Sequence, residues 1–390
     1  MPLRIAFDAR HVRDFGFGTY IRNLLHALAS IGAPHRFFLI SRREDLHEFD
    51  GLPDNFERVF YEKLDTDRDN EIALPWLIRR LKVDLSHIPL QQVPFLMPRP
   101  YVVTVHDLSA LVFDARAGWR HEARLMALRR TFQRAARVIA VSDSTMHDVV
   151  NIVGVAADKV ERIYGAPDPQ FAHHMPGGDA RSAGPEAWER ERLRILERYQ
   201  VNYPFLLYAG TIRPQKNIPR LIEAFALVKR ELAGDPKYAD LRLIIIGDEI
   251  SRYPLVRQTV LQSRIDGSVR FLGFVSLNAL RVFFSAAEAF VFPSLYEGFG
   301  LPPLEAMASG TAVVCSKSTS LAEVVGDAAM IVSPDNVFDI ARGIREVLLS
   351  PELRERMIVR GYAQVARFTW EETARQVNAV YESAAGGGTR

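Results

Sequence analysis

Two carboxylates, Glu297 and Glu305, flank a glycine-rich turn in the stretch Phe292-Pro-Ser-Leu-Tyr-Glu-Gly-Phe-Gly-Leu-Pro-Pro-Leu-Glu305. An acid on each side of such a turn can hold two separate sets of hydroxyls. The apolar run Ala289–Phe292 reads as a buried strand leading in. Gly298 and Gly300 allow a sharp turn and close approach of a ligand. Pro302 and Pro303 suit the first turn of a helix, where a missing N–H costs nothing. The amides of Gly300, Leu301 and Leu304 would then face an anion such as a diphosphate at the positive helix end. Glu305, expected in that first turn, fits a ribose diol, and Glu297 fits a second polyol. The combination describes a nucleotide-sugar site. The duller reading is a solvated loop acid and a surface helix position.

Three further segments carry candidate chemistry. Gly210-Thr-Ile-Arg-Pro-Gln-Lys-Asn217 joins a strand to a helix, which puts Arg213 and Lys216 where two cations can neutralise a leaving diphosphate. Val103-Thr-Val-His-Asp-Leu108 places His106 and Asp107 at the carboxyl end of a strand, with Asp107 either orienting the imidazole or capping the next loop. Gly16-Phe-Gly18 follows the first strand, but position 21 is Ile and the second strand ends without a ribose-binding acid, which counts against a nicotinamide enzyme. Asp65-Thr-Asp67-Arg-Asp69 has the Asp-x-Asp spacing of metal-dependent transferases, yet no hydrophobic strand leads into it. It reads as surface charge. No His/Cys cluster with metal-ligand spacing is present, so no metal and no cofactor is expected.

The 292–305 stretch resembles the paired-glutamate motif of family 4 of the retaining glycosyltransferases. The similarity runs over nearly the whole chain and is weakest at about 45–84 and 171–191. It implies the GT-B fold, an α/β architecture of two doubly wound Rossmann-like domains facing across a cleft. It also implies a donor held mainly by the C-terminal domain, with Glu305 on ribose, Glu297 on the hexose, and the Arg213/Lys216 loop on the diphosphate. The arginine that family members often carry directly before the lysine is Gln215 here. By the same resemblance Gly16 and Gly18 approach donor phosphate and acceptor from the other domain, and His106 lies beside the transferred sugar. No covalent nucleophile stands out, which favours same-face displacement through an oxocarbenium-like state. The 292–305 stretch and the Phe7-Asp-Ala-Arg opening are most similar to mannosyl- and rhamnosyl-type transferases of surface glycans. GDP-mannose is therefore the first donor to consider and a UDP-hexose the second, with a glycan or lipid-linked glycan as acceptor. A nucleotide-sugar epimerase, a phosphorylase on the same fold and a catalytically silent nucleotide-sugar binder remain alternatives. An epimerase would isomerise donor without acceptor, and a phosphorylase would show the absorbance of pyridoxal phosphate.

The elements that must position these residues follow from the rest of the sequence. The 390 residues are too many for one ordinary core and imply two domains or more. A 48% hydrophobic and 25% charged composition is that of a soluble globular chain. A net charge of +2 offers no electrostatic case for nucleic acid. The single cysteine, Cys315, excludes an intrachain disulfide and fits a reducing compartment as a buried thiol. No apolar run reaches the ~20 residues of a membrane span. The N-terminus enters a strand directly. A cytoplasmic protein is the resulting expectation, with peripheral contact at the inner membrane face as an open alternative.

Strands are expected at 3–7, 37–40, 85–87, 101–105 and 138–141, then at 205–209, 241–246, 269–272, 289–292, 311–315 and 329–332. Amphipathic stretches between them imply parallel sheets covered on both faces. Domain limits fall at 1–171 and 172–368, with a crossover helix and tail at 369–390 returning to the first domain. Residues 172–187 suit a mobile linker, and 385–390 a disordered tail. A helix pattern over 120–137, loaded with Arg120, Arg124, Arg129, Arg130, Arg134 and Arg137, offers either a face for an anionic bilayer or a core-packed helix with solvated arginines. Trp76–Lys82 is a shorter version of it.

Overall fold

A computed structural model describes residues 2–14, 16–67, 69–113, 118–174 and 184–386. The chain divides into two compact units, 1–166 together with 368–390, and 167–367. The sequence placed the first of these joins at 171/172 and the return at 368/369. Residues 175–183 of the expected linker, and 387–390 of the expected tail, lie outside the described residues. The linker's flanks are ordered as a 3-10 turn at Pro169–His174 and a helix at Pro185–Arg198.

The first unit is built on seven parallel strands: β1 (Arg4–Asp8), β2 (Arg36–Ser41), β3 (Phe56–Phe60), β4 (Leu85–Ile88), β5 (Tyr101–Val105), β6 (Arg137–Ala140) and β7 (Val160–Arg162). Their order across the sheet is β3-β2-β1-β4-β5-β6-β7. Central strands are apolar throughout because helices cover both faces; β5, Tyr-Val-Val-Thr-Val, is buried at every position. Two strands were not legible in the sequence. β3, Phe-Glu-Arg-Val-Phe, is an edge strand with alternating burial, and β7 has only three residues. The helix Trp370–Gly386 belongs to this unit and packs on the helix Phe17–Ser30. Its Tyr381 is fully buried and hydrogen-bonds the His87 Nδ1 at 2.7 Å, while the His87 Nε2 meets the Thr104 hydroxyl at 2.8 Å. Burial, with His106 nearby, pushes His87 down to about 3, so the ring is neutral.

The second unit holds six parallel strands: β8 (Phe205–Ala209), β9 (Arg242–Ile246), β10 (Val269–Gly273), β11 (Ala289–Phe292), β12 (Val313–Ser316) and β13 (Met330–Val332). Their order is β10-β9-β8-β11-β12-β13. Each sheet therefore reverses its winding once, between β1 and β4 in the first unit and between β8 and β11 in the second. Such a switch point opens a crevice at the carboxyl ends of the two strands, where ligands of doubly wound sheets bind. Cys315 is buried in β12 and its thiol is pushed up to about 12 by burial, in keeping with a structural role.

The basic helix runs from Trp119 to Arg134, so Arg137 stands at the start of β6 instead. Leu128 and Phe132 form its buried side, and the Arg129 Nε donates to the Val153 carbonyl at 2.8 Å.

Candidate functional site

The loops after β8 and β11 leave neighbouring strands at the switch point of the second sheet, and both carry candidate residues. After β8 the chain makes a 3-10 turn at Pro214–Lys216 and a left-handed residue, Asn217, before the helix Ile218–Glu231. The Asn217 side chain donates to the carbonyls of Pro293 at 3.0 Å and Pro334 at 2.7 Å. The Leu295 amide donates to the Gln215 carbonyl at 2.7 Å. Gln215 itself is buried. These bonds stitch the two loops together and bring Lys216 onto Glu297. The ammonium lies 2.6 and 2.7 Å from the two carboxylate oxygens and 5.4 Å from the centre of the Phe292 ring. The pair is mostly enclosed, with side-chain exposures of 15% and 9%. Sequence reasoning gave these residues separate tasks and did not foresee the contact.

The Glu297 backbone is held just as firmly. Its amide donates to the Thr319 hydroxyl at 2.8 Å, and its carbonyl accepts from Thr319 and from Ser320, both at 2.9 Å. Ser320 also donates to the Phe299 carbonyl at 2.8 Å. The turn closes at Gly300, where φ is +112° and an added Cβ would stand 2.7 Å from Leu321, so only glycine fits.

The helix Leu301–Ala308 starts there, with the two prolines in its first turn. This register corrects two expectations. Leu304 donates the first i→i−4 bond, to Gly300, so its own N–H is not free, and its side chain is fully buried. The amides of Gly300 and Leu301 remain at the helix end. Glu305 lies beyond the first turn. Burial pushes its carboxyl up to about 8, with the buried Asp168 adding to the shift. Asp168 was missed; Pro-Asp-Pro, just before the expected linker, gave no signal. Arg213 is exposed at the edge of the β8 loop and forms no ion pair among the described residues.

In the first unit, His106 follows β5. Its Nε2 lies 2.9 Å from the Pro89 carbonyl, which can only accept, so Nε2 carries the proton and Nδ1 is an acceptor. Burial holds the ring down to about 4, against the Pro89 bond and the Asp107 charge, and it is neutral near pH 7. Phe17 and Tyr20 pack their rings 4.9 and 4.8 Å from it. The glycine loop and His106 thus come together, since Phe17 sits between Gly16 and Gly18. Asp107 caps the following turn through Ser109, accepting from its amide at 2.9 Å and its hydroxyl at 2.6 Å.

The surface-charge reading of the 65–69 segment holds for the exposed Asp67 and Asp69 and fails at Asp65. Asp65 is mostly buried, paired with Arg10 at 2.7 Å and His11 at 2.8 Å, and held below the usual carboxylate range. Burial opposes that shift, but the two cations outweigh it. Among the described residues no group of three or more His, Cys, Asp or Glu is arranged for a metal.

Residues 16–171 match the family described as Glycosyltransferase Family 4, and residues 189–364 match Glycosyl transferases group 1. The O-antigen chain mannosyltransferase B of Escherichia coli is 32% identical over 309 residues, covering 78% of this chain and 76% of that one. The chain belongs to family 4 of the glycosyltransferases. Among solved structures, this family 4 chain is similar to a sucrose-phosphate synthase from Thermosynechococcus elongatus, at 20% identity, with 99% and 100% of the two chains covered and a TM-score of 0.76. Anabaena HepE in complex with UDP-glucose gives 17% identity, 98% and 100% coverage, and a TM-score of 0.76. These likenesses establish the GT-B fold, two Rossmann-like α/β halves. As a glycosyltransferase, the protein has its Lys216–Glu297 pair in the half that matches group 1.

Proposed function

We propose that the protein transfers a hexose, with retention of configuration, from a nucleoside-diphosphate sugar to a glycan or lipid-linked glycan during polysaccharide synthesis. GDP-mannose is the proposed donor. The observation that carries this reading is the enclosed Lys216–Glu297 pair at the switch point, with Glu297 on the same loop that leads through Gly300 into the helix carrying Glu305. Without donor each charge neutralises the other. An arriving diphosphate offers Lys216 a stronger partner, with the amides of Gly300 and Leu301 and with Arg213 beside it. Glu297 is then released to a hydroxyl of the hexose. Lys216 meets the charge that grows on the leaving diphosphate, the interaction that most lowers this barrier. The leaving phosphate takes the acceptor's proton on the same face. Glu305 accepts from the ribose diol, and in the first unit the Nδ1 of His106 is the acceptor offered to a sugar hydroxyl.

The mannosyl choice is supported by the relatedness to the E. coli O-antigen enzyme. A UDP-hexose is the second reading, favoured by the UDP-glucose bound to the fold relative HepE. The test is a thermal-shift screen with GDP-, UDP- and dTDP-sugars, followed by NMR of product formed with a mannoside acceptor. Stabilisation by GDP-mannose and an α-linked product are expected. Stabilisation by UDP-sugars alone would replace the donor, and a β-linked product would end the retaining mechanism. Because Lys216 and helix amides carry the diphosphate charge in this scheme, transfer in excess EDTA should match the untreated rate.

Contact with an anionic membrane is proposed through the helix Trp119–Arg134. It exposes Trp119, Met126, Arg120, Arg124 and Arg130 beside the exposed Phe95 and Leu96. No helix among the described residues is long and apolar enough to cross a bilayer.

A further inference from the structure

A second cluster of charge lies behind the glycine loop of the first unit. Arg10 is buried and grips Asp8 with two bonds, Nε to Oδ1 at 2.8 Å and Nη2 to Oδ2 at 2.7 Å. Its guanidinium also reaches the Lys63 carbonyl at 3.0 Å and Asp65 Oδ1 at 2.7 Å. The other Asp65 oxygen meets His11 Nε2 at 2.8 Å, and His11 Nδ1 meets Asp14 at 2.6 Å. Ionised carboxylates only accept, so both ring nitrogens carry protons and His11 is an imidazolium.

Asp8 alone already neutralises Arg10 in a two-bond grip. Asp65 adds something else: it ties a second segment, 61–67, to the loop between β1 and the helix Phe17–Ser30. Asp14 continues the chain, since its carbonyl accepts from the Gly18 amide at 2.8 Å. Gly18 lies so close to this loop that an added Cβ would stand 2.2 Å from the Val12 carbonyl oxygen. A shift of the loop is therefore a shift of Gly16 and Gly18.

We propose that Asp65 and His11 are positioning residues, holding the loop that carries Gly16 and Gly18 in place for acceptor recognition. This rests on the transferase reading above. The charges that face His11 are Asp14 on its own loop and Asp65 from segment 61–67, with Asp8 and Arg10 behind it. Two cations stand against three carboxylates, and loss of the His11 proton leaves one cation against three. Burial works against that proton, but Asp14 and Asp65 prevail and the imidazole is raised to about 9.

The test compares His11→Gln and Asp65→Asn with the parent protein in two measurements. Amide hydrogen exchange over residues 9–22, corrected for intrinsic rates, is followed from about pH 7 to about pH 10. The parent should lose about tenfold protection across that range, while both variants start low and show no further fall. With GDP-mannose as donor and methyl α-mannoside as acceptor, each variant should raise the acceptor KM about tenfold or more. Asp65→Glu should restore part of the KM. Unchanged exchange in both variants, or an acceptor KM unchanged in both, overturns the proposal. A parent protein that transfers nothing counts against the transferase reading, and the exchange measurement still decides whether Asp65 and His11 position the loop.

Discussion

At the scale of single residues the Lys216–Glu297 contact sets the sharpest expectations. Lys216→Ala should slow transfer by on the order of 10²–10³, the usual cost of losing a preorganised electrostatic contact. It also strands Glu297, which is only 8% exposed, so the single variant should melt below Lys216→Ala/Glu297→Gln. Equal melting temperatures would show that the pair is not felt in the folded state. Glu305 adds a pH dependence. Its carboxyl sits at about 8, against 4.5 when unperturbed, so the folded unliganded protein holds a proton there that the unfolded chain has lost. Stability of the empty protein should therefore fall as pH rises from about 4.5 to about 8, and Glu305→Gln should remove that slope. If the ribose contact uses the ionised form, donor affinity should climb through the same upper range and level off above it. Calorimetric titration giving a flat profile would take Glu305 ionisation out of the binding step.

At the scale of elements, the helix Trp119–Arg134 separates the roles of its arginines. Arg129 is spent on the Val153 carbonyl and packs against Gly154. Arg130 instead stacks 3.5 Å over the exposed Phe95 ring. Neutralising Arg120, Arg124 and Arg130 together should weaken binding to vesicles of anionic phospholipid by ~3 kcal/mol, roughly a hundredfold, at about 1 kcal/mol per charge. Added salt should reproduce the loss, and donor affinity should not change. Flotation that finds no parent protein on anionic vesicles at low salt would end the membrane reading.

At the scale of the whole molecule, the last helix completes the first unit although it follows the second in sequence. Tyr381 is its anchor, fully buried and bonded to the neutral His87. Tyr381→Ala both opens a cavity and strips the Nδ1 of a buried imidazole of its partner. A loss of about 3–5 kcal/mol is expected, read from urea unfolding followed in the first unit. A loss below about 1 kcal/mol would mean that the helix is not a structural part of that unit.

What the sequence by itself determined is local. Near-continuous apolar runs of four or five residues marked the central strands, and Gly-Pro punctuation marked the loop and helix start after β11. These signals arise within one turn or one strand of the chain, so they survive without tertiary context. The edge strand β3 carried only a half-buried alternation, and β7 was too short to show a period. Tertiary structure alone decided which loops meet. β8 and β11 are neighbours only because the sheet reverses its winding between them, and that crossover brings Lys216 to a carboxylate 81 positions away. Asp65 likewise looked like solvated charge in a polar loop until the fold laid Arg10 and His11 against it. An ion pair is specified by where two distant segments cross, and residue type and spacing carry no record of that crossing.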